Sequence, residues 1–416
     1  MIKAVTGTKD ILPSDIPKWK HSESVVQTIF KNFNYSEIRT PIFEETVLFA
    51  RGIGEETDIV GKEMYTFLDK GQTSITLKPE MTASVVRAFI EHSLASKQPL
   101  YKLYYISPMF RQERPQAGRL RQFHQFGAEA IGSESPILDA EIIQIAYDIL
   151  RRLGLKDLLV KINSLGIPES RENYKKELRH FLNDKKNKLS EDSQKRFDTN
   201  ILRVFDSKIE TDQELLKGAP ILLDYLDEES KIYFNIVRNI LREADIPFEI
   251  DTKLVRGLDY YAKTTFEIIS GKVGSQNALC GGGRYDLLAE QLEGKPTPGV
   301  GFAAGIERIL LACENEKTLS LPEEKLDFYI VTVGENLIEK VYNAASILRR
   351  RNFSVEFDYL DRSAKAQMRE ANKLNARFVI FFGGDEYSNG YFSLKNMQTG
   401  EQKQFPLEDL KTIVIE

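Results

Sequence analysis

The stretch from residue 100 to residue 132 limits the fold more than any other. LYKLYYISPMF (100–110) and RQFHQFGAEAIG (121–132) are β-branched and aromatic with alternate-residue character, so they read as antiparallel strands joined by an arginine-rich turn. A further run, YYAKTTFEIIS (260–270), has the same character. Reading Arg121 onward as a strand sends Arg121, Phe123, Gln125, Gly127, Glu129 and Ile131 to one face. Gln122, His124, Phe126, Ala128 and Ala130 go to the other. The first face combines a cation, a flat ring, an amide, a glycine that leaves space and a carboxylate. Such a set is aimed at a core only where a polar ligand satisfies it. A solvent-exposed strand face with ordinary polar residues is the competing reading. In the preceding strand the same parity puts Tyr105, Ser107, Met109, Arg111 and Glu113 on one side, so Arg111 points where Arg121 points. Guanidinium forks presented from a hairpin suit a polyphosphate, and Phe123 beside them offers a stacking surface for a base.

The rest of the chain is organised around this hairpin. A length of 416 residues implies two or three domains. Asp139 to Gly154 reads as a helix with one broad apolar stripe, an acidic start and a glycine stop. Between about 168 and 244 the texture changes to dense charge with spaced apolar residues, as in a helical insertion; residues 169 to 217 carry 12 basic and 11 acidic groups, so charge alone favours a solvated face over a phosphate site. LPEEK (321–325) is a short linker. Beyond it DFYIVTV, SVEFDYL and RFVIFF alternate with helical 335–351 and 363–375, the pattern of an α/β unit with a mostly parallel sheet. The domains are therefore expected at 1–325 and 326–416. No apolar run is long enough for a membrane helix and the first residues resemble no signal or transit peptide, so the expected compartment is the cytoplasm, with no membrane partner. Two cysteines make neither a disulfide framework nor a four-ligand zinc site, and a net charge of -5 gives no general attraction to nucleic acid.

Phe110, Arg111, Glu113, Arg119 and Phe123 resemble the second signature motif of the class II aminoacyl-tRNA synthetases: aromatic-Arg-x-acid, a variable loop, then Arg-x-x-x-Phe. GVGFAAGIERIL (299–310) resembles the third motif, ending in Arg308. A dinucleotide fingerprint is the other reading of its glycines, but no strand precedes them. NYSEIRTPIFE (34–44) resembles the first motif, whose proline, here Pro41, sits at a homodimer interface in that class. Two more segments, LVRGLDYYAKTTFE (254–267) and ALCGGGRYD (278–286), look like those peculiar to the histidyl-tRNA synthetase family, and TGTKDILP and KINSLG match it too. The resemblance covers essentially the whole chain.

It implies an α+β catalytic domain of class II type on an antiparallel sheet, with a helical insertion, followed by a C-terminal α/β anticodon-binding domain. Its implied activity is an ATP-dependent ligation of L-histidine to tRNA(His) through histidyl-adenylate. Arg111 and Arg256 would be catalytic, meeting charge at the α-phosphate. Arg111, Glu113, Arg121, Phe123 and Arg308 would bind ATP. Glu80, Met81, Thr82, Arg111, Gln125, Glu129, Arg256, Tyr260 and Tyr261 would bind histidine; Met81 departs from the small residues commoner in the family. Mg2+ is expected to arrive on ATP, with no metal held by protein ligands alone. No Cys/His or Ser/His/Asp constellation suggests a protein nucleophile. Two rivals stand beside this reading. One is a histidine-sensing regulatory subunit resembling the catalytic domain, which lacks the C-terminal domain and has eroded ATP motifs. The other is a synthetase of the same class for another amino acid.

Overall fold

A computed structural model describes residues 1–54, 57, 59–116, 118–255, 260–271, 278–319, 321, 325–334 and 336–414. The chain divides into two units, Met1–Leu321 and Pro322–Glu416. In the first unit the strands are β1 (Ser36–Glu37), β2 (Phe43–Glu45), β3 (Tyr65–Leu68), β4 (Ser74–Leu77), β5 (Tyr101–Phe110), β6 (Gln122–Ile131), β7 (Leu158–Ser164), β8 (Phe248–Ile250), β9 (Ala262–Ser270), β10 (Ala278–Arg284) and β11 (Gly299–Gly305). Among the described residues, eight of these form one sheet in the order β1-β5-β6-β11-β10-β9-β7-β8, and β2-β4-β3 form a smaller one. Every pairing inside the large sheet is antiparallel. Its edge pairs, β1 with β5 and β7 with β8, are parallel.

The alternation read from residues 100–132 governs the packing on both sides. Phe126, Ala128 and Ala130 face a core shared with Trp19, Val26 and Phe30 of the helix Ile16–Asn32, Ile142 and Ile149 of the helix Pro136–Arg152, and Ile309 of the helix Ile306–Glu316. Fully burying a side chain of the size of Ile142 or Ile149 contributes roughly 2 kcal/mol. Tyr105, Met109 and Ile131 face the other way, into a second cluster with Met81, Val85, Tyr260, Tyr261 and Tyr285. The helix expected from Asp139 starts earlier, at Pro136, because Ser135 Oγ accepts the Ile137 N–H at 3.3 Å and proline suits a first helical turn.

The insertion is framed by β7 and β8. Its helices are Pro168–Leu182, Glu191–Asp198, Glu210–Leu215 and Glu228–Glu243. The last of these lies within the expected 168–244 stretch but packs differently: Phe234, Val237 and Leu241 join the cluster of Ile142 and Ile149. Its exposed charges hid a helical stripe that belongs to the main core.

The second unit holds β12 (Phe328–Val333), β13 (Val355–Phe357), β14 (Phe378–Gly383), β15 (Tyr391–Asn396) and β16 (Gln402–Pro406), ordered β13-β12-β14-β15-β16. β12 runs parallel to β13 and β14, as expected. β15 and β16 add an antiparallel hairpin that makes the sheet mixed. Its turn is built by Asn396, whose Oδ1 accepts the N–H groups of Gln398 (2.9 Å) and Thr399 (3.0 Å).

One ion pair joins β10 to the main helical layer. Arg284, with no exposed surface, donates from Nε (2.9 Å) and Nη2 (2.5 Å) to Asp139 Oδ1 and from Nη1 to Asp286 Oδ1 (3.0 Å). Removing one partner of a buried pair strands the other charge. Asp139→Asn should therefore lower unfolding free energy by about 3 kcal/mol in urea titration at unchanged slope. A loss under about 1 kcal/mol would mean that Asp286 alone satisfies Arg284.

Candidate active site

The turn between β5 and β6 opens onto a cavity of about 300 Å³, lined by Arg111, Glu113, Phe123 and Gln125 of the hairpin, Glu267 of β9, Cys280 and Gly281 of β10, and Arg308 of the following helix. Arg111 is fixed by its Nε, which donates to the Pro79 carbonyl at 2.9 Å. Its guanidinium carbon lies 5.3 Å from the Phe123 ring centre. Glu113 lies 3.7 Å from Arg111 Nη1 and 3.2 Å from Arg119 Nη1. Arg308 donates to the Ala278 carbonyl at 2.8 Å. Burial, then the nearby Arg119, pull the Arg308 pKa below its ordinary value. Cations held this close are eased by an anion, and a polyphosphate supplies one.

Arg121 is not among the residues lining this cavity. Its guanidinium donates to the carbonyls of Glu113 and Thr6, both at 3.4 Å, and its main-chain N–H to Gly7 at 2.7 Å. The segment TGTKD is thereby stitched to the hairpin.

A buried polar cluster centres on Glu129, which has no exposed surface. Its carboxyl accepts the Thr82 hydroxyl at 2.8 Å and the Tyr285 hydroxyl at 2.5 Å. Burial pushes its pKa up to about 8, against the pull of those two hydroxyls. Gly301, paired with Glu129 across β6 and β11, cannot be anything larger, because a Cβ there would lie 1.8 Å from Glu129 Oε2. Glu80 accepts the main-chain N–H groups of Thr82 (2.8 Å) and Ala83 (2.9 Å), closing the start of the helix Thr82–Glu91. Burial raises the Glu80 pKa as well. Tyr260 stands with its ring centre 4.7 Å from that of Tyr261 and 5.9 Å from that of Tyr285. Gln125 lines the first cavity with a buried Oε1 that has no partner.

The structure thus groups Arg111, Glu113, Phe123, Gln125 and Arg308 in one cavity, and Glu80, Thr82, Glu129, Tyr260 and Tyr261 in one buried neighbourhood. Met81 turns its side chain away: its sulfur meets Lys78 Nζ and Thr40 Oγ1 at 3.5 Å each. The space left by Gly127 is taken by the Tyr105 hydroxyl, 2.4 Å from where a Cβ would sit, rather than by a ligand. Arg256 lies outside the described residues. Tyr285 was missed. Its signal was its place two residues after the glycine run in GGGRYD, where a close backbone approach brings the following side chains near the same site. Among the described residues no cluster of three or more His, Cys, Asp or Glu is arranged to hold a metal ion.

The chain is similar to known proteins along nearly its whole length. A family model described as histidyl-tRNA synthetase matches residues 7–309, and one described as anticodon binding domain matches 327–416. The histidine–tRNA ligase of Halothermothrix orenii is 49% identical over 410 residues, 98% of each chain. The crystal structure of the apo histidyl-tRNA synthetase of S. aureus superposes with a TM-score of 0.84 at 42% identity, covering 99% of both chains. A Bacillus halodurans protein titled as an ATP phosphoribosyltransferase regulatory subunit/histidyl-tRNA synthetase shares the fold at 19% identity and a TM-score of 0.65, over 92% of this chain and 98% of its own.

The raised pKa of Glu129 has a stability consequence. A carboxyl that binds its proton more tightly when folded contributes stability that is fully present below the ordinary carboxyl range and is lost as pH rises through about 8. Glu129→Gln removes that loss. Relative to wild type, the variant should gain on the order of 3 kcal/mol between pH 5 and pH 9 in parallel thermal or urea unfolding. A pH-independent difference would show that Glu129 is ionised in the folded protein.

Proposed function

The chain belongs to the histidyl-tRNA synthetase family, and on that footing we propose how its first unit divides the two substrates of adenylate formation. The reaction is an ATP-dependent ligation of L-histidine to tRNA, and residues 327–416 form the anticodon-binding domain. ATP occupies the cavity of Arg111, Glu113 and Arg308, with its base on Phe123. Arg121, tied to the Glu113 and Thr6 carbonyls, supports the loop that covers the phosphates. Histidine occupies the pocket of Glu80, Thr82, Glu129, Tyr260 and Tyr261, with Gln125 between the two. The loop main chain at Met81 closes that pocket, since its side chain is buried among core residues. The observation that carries this assignment is a fully buried carboxyl, Glu129, held by two hydroxyls on the strand whose Phe123 and Gln125 line a cavity with three arginines and three glutamates. A group of that kind fits an imidazole ring, whose N–H donates to it.

A histidine carboxylate oxygen attacks the α-phosphorus of ATP, the bond to the β-phosphate oxygen breaks and pyrophosphate leaves. Charge developing on the α-phosphate oxygens is met by Arg111 and, from the sequence match, by Arg256. The acyl group then passes to a ribose hydroxyl of tRNA, and AMP leaves. Every bond is made by the substrates, so the protein's part is positioning and charge compensation. Glu113 and Glu267 are carboxylates lining the cavity, the hard oxygen donors that suit Mg2+ arriving on the phosphates; the ion would neutralise the departing pyrophosphate.

A homodimer is supported by the small sheet beside Pro41. Phe43 is 54% exposed, Phe67 48% and Leu68 59%, an apolar surface on β2 and β3 that invites a partner. We place the reaction in the cytoplasm, where charged tRNA is consumed; no helix among the described residues is long and apolar enough to cross a membrane. The regulatory reading is not favoured, because Arg111, Glu113, Phe123 and Arg308 share one cavity and the matched relatives extend through residues 327–416.

Two measurements test these assignments. Histidine-dependent pyrophosphate exchange with Glu129→Gln should show a histidine KM raised by about 50-fold, with the ATP KM within about threefold of wild type. Equal losses for both substrates would remove Glu129 from the histidine pocket. Phe43→Asp combined with Phe67→Asp should shift sedimentation of the full chain from dimer to monomer; an unchanged coefficient would move the interface elsewhere.

A further inference from the structure

The helices that follow β7 have no task in the chemistry above, yet they share a wall with the amino-acid pocket. Tyr260, Tyr261 and Tyr285 lie in the same buried cluster as Tyr174, Leu178 and Leu182 of the helix Pro168–Leu182. From that helix Arg171 Nη1 donates to the Tyr261 carbonyl at 2.8 Å. The main chain just beyond is tied to the approach of the same helix: Leu165 N–H donates to the Lys263 carbonyl at 2.7 Å and Lys263 N–H to the Gly166 carbonyl at 3.1 Å.

That strip of backbone is irregular. Lys263 has a φ of 47°, and the β9–β10 register shifts between Gly283 and Arg284. A side-chain-bearing residue in the left-handed region persists where its surroundings hold it, and a bulge re-aims the neighbouring side chains. Here the neighbours are Tyr260 and Tyr261. A guanidinium bonded to the Tyr261 carbonyl fixes the main chain from which that ring projects.

We propose that Arg171 is a positioning residue of the histidine pocket, holding the Tyr261 main chain so that the first insertion helix braces the pocket from outside. This rests on the placement of histidine against Tyr261. ATP is bound mainly from the β5–β6 hairpin, whereas the Arg171 bond goes to the Tyr261 main chain, so the two substrates respond differently to its loss.

The test uses the full-length protein in pyrophosphate exchange, with Arg171→Met, Arg171→Lys and Tyr261→Phe measured side by side. Arg171→Met should raise the histidine KM about tenfold, the effect of losing one charge-assisted hydrogen bond, with kcat and the ATP KM within about twofold. Its melting temperature should stay within about 3 °C of wild type. Arg171→Lys, which keeps a charged donor, should recover part of the loss. A raised histidine KM in Tyr261→Phe with none in Arg171→Met overturns the positioning role alone. Parallel rises in both KM values with a lowered melting temperature overturn it too, since general packing then explains the effect. If neither variant changes the histidine KM, the placement of histidine at Tyr261 falls and the proposal falls with it.

Discussion

A carboxyl with no exposed surface has to be answered from every side, and Glu129 sets terms that its neighbours meet. Hydroxyls approach from Thr82 and Tyr285 on two different elements, and Gly301 clears the strand alongside. Thr82 is delivered by a helix start that Glu80 closes. Glu129 and Gly301 are placed by main-chain pairing of β6 with β5 and β11, so the surroundings of the carboxyl and the register of the sheet are one constraint. A one-residue slip would exchange Glu129 for Ala128 or Ala130 and leave the Thr82 and Tyr285 hydroxyls without their acceptor.

The cavity at the β5–β6 turn is of another kind. Around Glu129 a carboxyl is kept dry and holds its proton tightly; around Arg111 and Arg308 arginines and glutamates share a more open cavity. Gln125, with an unpaired buried oxygen, stands on the same strand face between them.

The strand alternation in 121–132 was legible because period two is a local property: Phe123, Gln125 and Glu129 had to share a face once the strand was granted. The family motifs added the partners that periodicity cannot pair, such as Glu80 and Arg308. What stayed hidden were facts of tertiary packing. Tyr285 reads as one more strand tyrosine until β10 is seen beside β11. The helix Glu228–Glu243 looks solvated because its charges outnumber the residues Phe234, Val237 and Leu241 that bury it. Arg121 shows a cation but not that its fork is taken by the Thr6 and Glu113 carbonyls. The hairpin of β15 and β16 was missed because its polar alternation resembles a surface loop until β14 offers an edge.

The pairing of β6 with β11 also bears on how the chain reaches this state. β6 ends at Ile131 and β11 begins at Gly299, with the helical insertion and four further strands of the sheet between them. A strand order of this kind raises contact order, and loop closure over such a span slows folding. As the chain emerges from the ribosome, the β5–β6 hairpin can form early, but the flank of β6 that carries Glu129 stays an open, wet edge until residues 299–305 arrive. The proton affinity of Glu129 is therefore acquired late, in the same event that completes the sheet.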